Sequence, residues 1–380
     1  MNLIYLIVNN KYRHRFGSAL LFLVCLTVMS RAEVPFHRGV NLTQWFQSPT
    51  PYNIPFHKYD RETFAQIQSL GCDAIRLPVN LFSMTSGSPD YQINPLFLLM
   101  LDEVVGWAEE LHIYLILDNH STDEWGSRNP LLKEALLSVW QQLAERYKNR
   151  SQYLLYEVLN EPNGITTESW SSVQHEVVHR IREIDPARLL IVGASGYNSF
   201  RELTQLPVYD DPHLIYTFHF YEPFLFTHQG ASWVNPPMTL LKNIPFPYSA
   251  TLPPLQDAYK NTWIETSYNS YYKDGTADHI CKLIRETARW AKEHHVALYC
   301  GEFGALMNNC DNNDRVLWYN VVRKCLEDNG IAWTTWDYQH GFGLFESNSP
   351  ERFVSDLNLD LIDTLGLDAP DQRIEIEGNR

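Results

Sequence analysis

The stretch Tyr153-Leu154-Leu155-Tyr156-Glu157-Val158-Leu159-Asn160-Glu161-Pro162 decides how this chain is read. An apolar run delivers an amide and a carboxyl group to its far end. Pro162 stops the run, because proline has no N–H to give to a strand ladder. A carboxylic acid presented at a strand end suits acid chemistry on an ether-like bond, and such chemistry needs a second carboxylate. The chain supplies one much later, in Cys300-Gly301-Glu302-Phe303-Gly304.

Working outward, short apolar runs alternate with stretches of helical spacing. The predicted strands are residues 39–42, 74–79, 114–120, 153–161, 189–193, 214–221, 297–302 and 332–336. The predicted helices cover about 60–70, 95–111, 130–147, 168–183, 277–294 and 313–328, with a last one near 352–363. Asp60 reads as an N-cap and Gly71 as a stop. Residues 222–275 form a long aromatic, Pro-rich insertion after strand six without clear period. Eight strands alternating with helices predict a (β/α)8 TIM barrel. The competing open sheet would want a Gly-rich phosphate loop after its first strand, and there is none. With no repeats or linkers, residues 33–380 are expected to be a single domain.

In such a barrel the chemistry sits where strands end. Strand two offers Arg76, strand three His120, and strand four Asn160 and Glu161. Strand six offers His219 and Tyr221, strand seven Glu302, and strand eight Trp336. Any one of them reads equally well as a satisfied core group; the whole set at successive strand ends does not. Trp45, Trp125 and Trp233 lie in loops after strands and are candidate sugar platforms. Trp263, Tyr268, Tyr271 and Tyr272 are candidates for a lid.

The ordered motifs Arg-Leu-Pro-Val, Asp-Asn-His, Leu-Asn-Glu-Pro, His-Phe-Tyr-Glu-Pro, Gly-Glu-Phe-Gly and Thr-Thr-Trp-Asp-Tyr, over roughly residues 35–365, resemble glycoside hydrolase family 5, the cellulase family. The resemblance implies a retaining enzyme with Glu161 as acid/base and Glu302 as nucleophile. Arg76, His120, Asn160, His219, Tyr221 and Trp336 would surround them. It implies a β-linked glucan as substrate, β-1,4 before mannan, xyloglucan or β-1,3-glucan. No cofactor or metal is expected.

The residue chemistry agrees with that expectation. Glu302 must be ionised to attack the anomeric carbon, and a guanidinium such as Arg76 favours the charged form. Glu161 must give a proton to the leaving oxygen and later take one from water. Asn160 suits the sugar 2-hydroxyl, Tyr221 can orient Glu302, and Trp336 offers a flat face. Period two then sends Glu157, Asp118 and Cys300 into the barrel interior. A buried carboxylate needs a partner, and Arg76 is the first choice for Glu157. Cys300 is the best candidate for an unpaired thiol.

Two other readings compete with this one. His175-Glu176-Val177-Val178-His179 matches the zinc peptidase pattern H-E-x-x-H. However, Val173, Val177, Ile181 and Ile184 mark one apolar stripe and the histidines project opposite it, toward solvent. A sugar-binding barrel without catalysis is disfavoured by the presence of both glutamates. Asp311-Asn312-Asn313-Asp314 reads as a helix cap rather than a calcium loop.

The composition bounds the partners. There are 30 basic residues against 45 acidic, a net charge of −15; four of the basic ones lie in residues 1–32. Such a surface repels nucleic acid and anionic lipid and suits a neutral polymer. The 11 Trp and 21 Tyr exceed what a core needs. Lys11 to Arg15 form a basic block, Phe16 to Met29 an apolar run too short to span a bilayer, and Ser30 and Ala32 flank Arg31 as small residues. Residues 1–32 are therefore expected to be a cleaved signal peptide of a secreted or periplasmic monomer, free of the membrane afterwards. An uncleaved anchor is the alternative. Removal of Cys25 would leave Cys72, Cys281, Cys300, Cys310 and Cys325, so at least one thiol stays free.

Overall fold

Eight parallel strands close on one another in chain order in the computed structural model, which describes residues 33–121 and 131–370. They are β1 (Arg38–Asn41), β2 (Ala74–Val79), β3 (Tyr114–Asn119), β4 (Leu154–Glu157), β5 (Leu190–Gly193), β6 (Leu214–Phe220), β7 (Ala297–Phe303) and β8 (Ala332–Thr335). Closure comes from β1 pairing with β8, with Arg38 opposite Trp333. The helices are α1 (Arg61–Ser69), α2 (Pro95–Leu111), α3 (Leu132–Tyr147), α4 (Thr167–Arg182), α5 (Ser195–Asn198), α6 (Phe200–Leu203), α7 (Phe224–Thr227), α8 (Trp263–Asp274), α9 (Ala277–Glu293), α10 (Asn312–Glu327) and α11 (Leu359–Thr364). The (β/α)8 expectation holds.

Local chemistry sets the boundaries. Asp60 accepts from Thr63 N and caps α1, Asn94 caps α2 with Pro95 next in line, and Asp311 accepts from Asn313 N and Asp314 N to cap α10. The acidic Asp311–Asp314 run is thus a cap. Cys281 on α9 and Cys325 on α10 form a disulfide. Cys72, Cys300 and Cys310 are free.

Strand alternation divides the core in two. Ala74, Ile116, Leu155, Ile191, Ile215, Tyr299 and Ala332, one from each of seven strands, fill the barrel floor with Phe36 beneath. The larger cluster lies between the barrel and its helices. Two residues further along β2, β3 and β4, on the same inward face, stand Arg76, Asp118 and Glu157. The apolar floor thus gives way to a buried charged layer just below the barrel mouth.

Three expectations need correction. Cys300 does not enter the barrel: its neighbour Tyr299 does, and Cys300 packs in the outer layer. The cause is a register shift, in which Phe218 faces Cys300 but His219 faces Glu302, so Gly301 is an extra residue that resets the alternation. A side chain at Gly301 would put its Cβ 3.0 Å from Thr217 Oγ1 and 3.2 Å from His219 Nε2. Second, the insertion holds a 12-residue helix, α8. On it Tyr271 is buried with its hydroxyl on Pro245 O, and Tyr268 donates to Pro253 O, so these two fasten the insertion rather than form an open lid face. Third, the last helix is only Leu359–Thr364, because Asn358 caps it and Leu357 is held in an antiparallel bridge to Phe345.

Among the described residues no helix is long and apolar enough to cross a membrane. Residues 1–32 and Trp125 lie outside the described residues.

Candidate active site

Each polar residue expected at a strand end reaches the same mouth, because the ladders run on past the strands. His120 N donates to Val79 O (2.7 Å), Asn160 N to Asn119 O (3.0 Å) and Trp336 N to Phe303 O (2.9 Å). These bonds fix the backbone beneath the side chains, so the site is carried by the barrel frame rather than by free loops.

Arg76 is its hub and is fully buried. Its Nε and Nη2 donate to Glu157 Oε2 and Oε1, both at 2.8 Å, in a bidentate pair. Nη2 also donates to Asn160 Oδ1 (2.7 Å), and Nη1 to Asn41 Oδ1 (2.9 Å) and Glu302 Oε1 (2.8 Å). Glu157 therefore points inward and takes Arg76 as its partner, as expected. Asp118 Oδ2 lies 3.0 Å from Nη2 and 2.7 Å from His120 Nδ1.

Glu302 accepts from Arg76 on one oxygen and from Tyr221 Oη (2.9 Å) on the other. Glu161 stands across from it, and His219 Nδ1 joins the two, 2.7 Å from Glu161 Oε1 and 3.4 Å from Glu302 Oε2. Oxygens of Glu161 and Glu302 and the His219 nitrogen all lie within 4.8 Å of one another. Carboxyl groups about 5–5.5 Å apart belong to double displacement; a single displacement needs about 6.5–9.5 Å to admit a water.

Burial and charge pull against each other here. Burial holds the Glu302 carboxyl above the usual carboxylate range, while His219 and Arg76 pull it back. Burial lowers His120 and His219 to about 4, so both imidazoles are neutral near pH 7. Burial and the neighbouring Glu302 charge push the Tyr221 hydroxyl far up, which keeps it a donor to that carboxylate.

Trp336 stacks on the His120 ring, with centroids 5.4 Å apart and planes 11° from parallel. Trp233 is exposed (62%) in the insertion, beside His228 and Phe342; His228 in turn packs edge-on to Tyr221. Trp45 is not at the mouth. Its ring is wholly buried, parallel to Trp107 (9°), with Nε1 on Phe56 O, so it is a packing residue. The His175–His179 pair is exposed on α4, where Glu176 pairs with Lys133 and His179 with Glu183. Among the described residues the one cluster that could hold a metal ion is Glu161, His219 and Glu302, not this pair.

Sequence reasoning missed Asn41 and Tyr197. Asn41 ties the hub to the barrel by donating to Gly301 O and Thr335 O, both at 3.1 Å. A polar residue ending β1 was the available signal. Tyr197 is exposed in a left-handed turn (φ 62°), its N on Pro162 O (3.3 Å), while Ser199 bridges His219. Nothing in the sequence marks that turn except Gly196 before it.

The model of the family described as Cellulase (glycosyl hydrolase family 5) matches residues 33–341. Endoglucanase C of Acetivibrio thermocellus is 28% identical over 324 residues, 80% of this chain and 92% of that protein. Endoglucanase 3 of Fibrobacter succinogenes is 26% identical over 84% of this chain, which spans only 52% of that relative's length. Among solved structures, Thermotoga maritima Cel5A in complex with a mannotriose substrate superposes with a TM-score of 0.73 at 26% identity, covering 87% of this chain and 97% of that one. With a family model matched over most of its length and a closed eight-stranded barrel, this chain belongs to glycosyl hydrolase family 5.

Proposed function

We propose that the protein is a retaining endo-β-1,4-glucanase. The observation that carries the reading is the pair of glutamates at the barrel mouth, close enough for double displacement, with Glu302 anchored by a guanidinium and a phenol. Glu302 Oε attacks the anomeric carbon as Glu161 passes its proton to the departing glycosidic oxygen. The ester so formed is then attacked by a water whose proton returns to Glu161, and Glu302 leaves as carboxylate. Arg76 and Tyr221 hold Glu302 in place. His219, neutral and donating through Nδ1, orients Glu161. Asn160 has its Oδ1 taken by Arg76 and its Nδ2 3.5 Å from His120 Nε2, and its remaining amide N–H suits the sugar 2-hydroxyl. Trp336 is the platform for the reacting pyranose, and Trp233 and Tyr197 are exposed faces for flanking rings.

The endoglucanase names of the relatives and the likeness to a solved hyperthermophilic endo-β-1,4-glucanase support β-1,4-glucan, and the mannotriose complex of the Thermotoga enzyme supports β-mannan as a second substrate. Export through removal of residues 1–32 from a catalytic domain spanning 33–380 belongs to the same proposal. So does monomeric action on soluble polymer in the secreted or periplasmic space. Incubation with carboxymethylcellulose, mannan, xyloglucan and laminarin, followed by product profiling, tests it. Random internal cleavage of the cellulose derivative is expected, and no reducing sugar from any of the four would refute it.

A further inference from the structure

The buried charge layer beneath the site is out of balance. One guanidinium, Arg76, faces three carboxyl groups that are at most 5% exposed: Asp118, Glu157 and Glu302. Three ionised carboxylates around one cation would leave a double negative charge in a desolvated site, which burial opposes. One of them is expected to hold a proton in addition to that on Glu161.

The geometry says which. All five N–H groups of Arg76 are committed: two to Glu157, one to Glu302, one to Asn41 and one to Asn160. Asp118 lies 3.0 Å from Nη2, but both hydrogens of that nitrogen are already directed elsewhere. Among the described residues its Oδ1 is buried without a partner, and its one hydrogen bond is the 2.7 Å contact between Oδ2 and His120 Nδ1. Glu157 and Glu302 are the groups built to be charged, and Asp118 is not.

We propose that Asp118 is a positioning residue that carries this proton at the working pH, donates it to His120 Nδ1, and so makes His120 present an Nε2–H to the bound sugar. The inference rests on the glycosidase reading for its consequence, though not for its chemistry. As pH rises one proton leaves the pair: the carboxyl proton passes to His120 Nδ1 while the Nε2 proton goes to solvent, and Nδ1–H then donates to the Asp118 carboxylate. Nε2 is then bare and faces Asn160 Nδ2 at 3.5 Å, an acceptor where there was a donor. The groups that act on Asp118 are His120 just past its own strand, Arg76 on β2, Glu157 and Glu161 on and after β4, and Glu302 beyond Arg76. Burial lifts the Asp118 carboxyl to about 7 against the pull of Arg76, with Glu161 adding to the lift. His120 is lowered to about 4, so the shared proton resides on the carboxyl rather than on the ring.

The test is nitrogen NMR of the full chain with labelled histidine, His120 being assigned by its loss in His120→Gln. In the wild-type protein the His120 signals should show a protonated Nε2 at about pH 5 and a bare Nε2 at about pH 8. Asp118→Asn should show a bare Nε2 at both, because the amide oxygen, not the amide nitrogen, tolerates the guanidinium beside it. Its kcat/KM on a soluble glucan oligomer should fall at least tenfold at about pH 5 and converge on wild type at about pH 8. A bare wild-type Nε2 at about pH 5, or an Asp118→Asn profile parallel to wild type, would overturn the proposal. The wild-type spectra decide even if the variant does not fold. They also separate this proposal from the glycosidase reading, which fails only if the wild-type protein hydrolyses nothing.

Discussion

A single arginine decides what the glutamates of this site can do. Arg76 saturates its donors on Glu157, Glu302, Asn41 and Asn160, and so sets the position and charge of the nucleophile and the direction of the neighbouring amide. Removing one member of a buried ion network costs about 3–5 kcal/mol, because the remaining charges are left uncompensated. Arg76→Ala should therefore lower stability by about that much, seen as a lower urea midpoint, besides abolishing activity. Trp233 acts at the other end of the scale. It is exposed and touches no reacting group, so Trp233→Ala should raise KM on a long glucan several-fold with kcat nearly unchanged and stability within about 0.5 kcal/mol. An unchanged KM would remove Trp233 from the cleft. The fate of Trp45 shows what a sequence cannot say at this scale. Position after a strand was legible, but the direction of the ring was decided by Trp107, which sits on a different element.

At the level of elements, most of the architecture was legible because the alternation of strand and helix is strong and the caps are local. Asp60, Asn94 and Asp311 each do in three dimensions what their spacing implied. The failures have physical causes. α8 contains two serines, a threonine, an asparagine and three tyrosines, all indifferent helix formers, and buries only Ile264 and Tyr271 fully, so it carries almost no periodic signal. The bulge at Gly301 reverses the phase of β7 and moved Cys300 from the inside to the outside of the barrel. A cysteine pair is also invisible to spacing. The bond between Cys281 and Cys325 closes 44 residues of chain across α9 and α10. Loop-closure entropy puts its worth at up to about 4 kcal/mol. Reduction should lower Tm by several degrees, and no change would show that the bridge is idle. Thiol titration of the unfolded, unreduced protein should find Cys72, Cys300 and Cys310, plus Cys25 if residues 1–32 are retained.

At the scale of the molecule, the buried charges give stability a pH dependence whose sign follows from their shifts. Asp118 and Asp337 are both lifted to about 7 by burial. A carboxyl whose folded pKa is raised keeps its proton in the native state after the unfolded chain has lost it. Its contribution is fully present below about 4 and is lost as pH rises through about 7. Asp102, Glu109 and Glu327 are held low by arginines or backbone amides and act oppositely, favouring the fold above about 4 and losing that effect in acid. Tm should therefore be highest near pH 5 and fall on both sides, and a Tm still rising between about pH 6 and 8 would contradict these assignments. The chain supports a polar, ion-laced site on a rigid apolar floor, and that arrangement has a cost in alkaline stability.

The most direct measurement of the central claim is peptide mass spectrometry after treatment with a fluorinated cellobioside that forms a slow-turnover glycosyl ester. Double displacement with Glu302 as nucleophile predicts one disaccharide adduct per chain, on Glu302, and none in Glu302→Gln, whose activity should be lower by at least about a thousandfold. An adduct on another carboxylate, or steady hydrolysis of cellobiosides with no adduct at all, would contradict it.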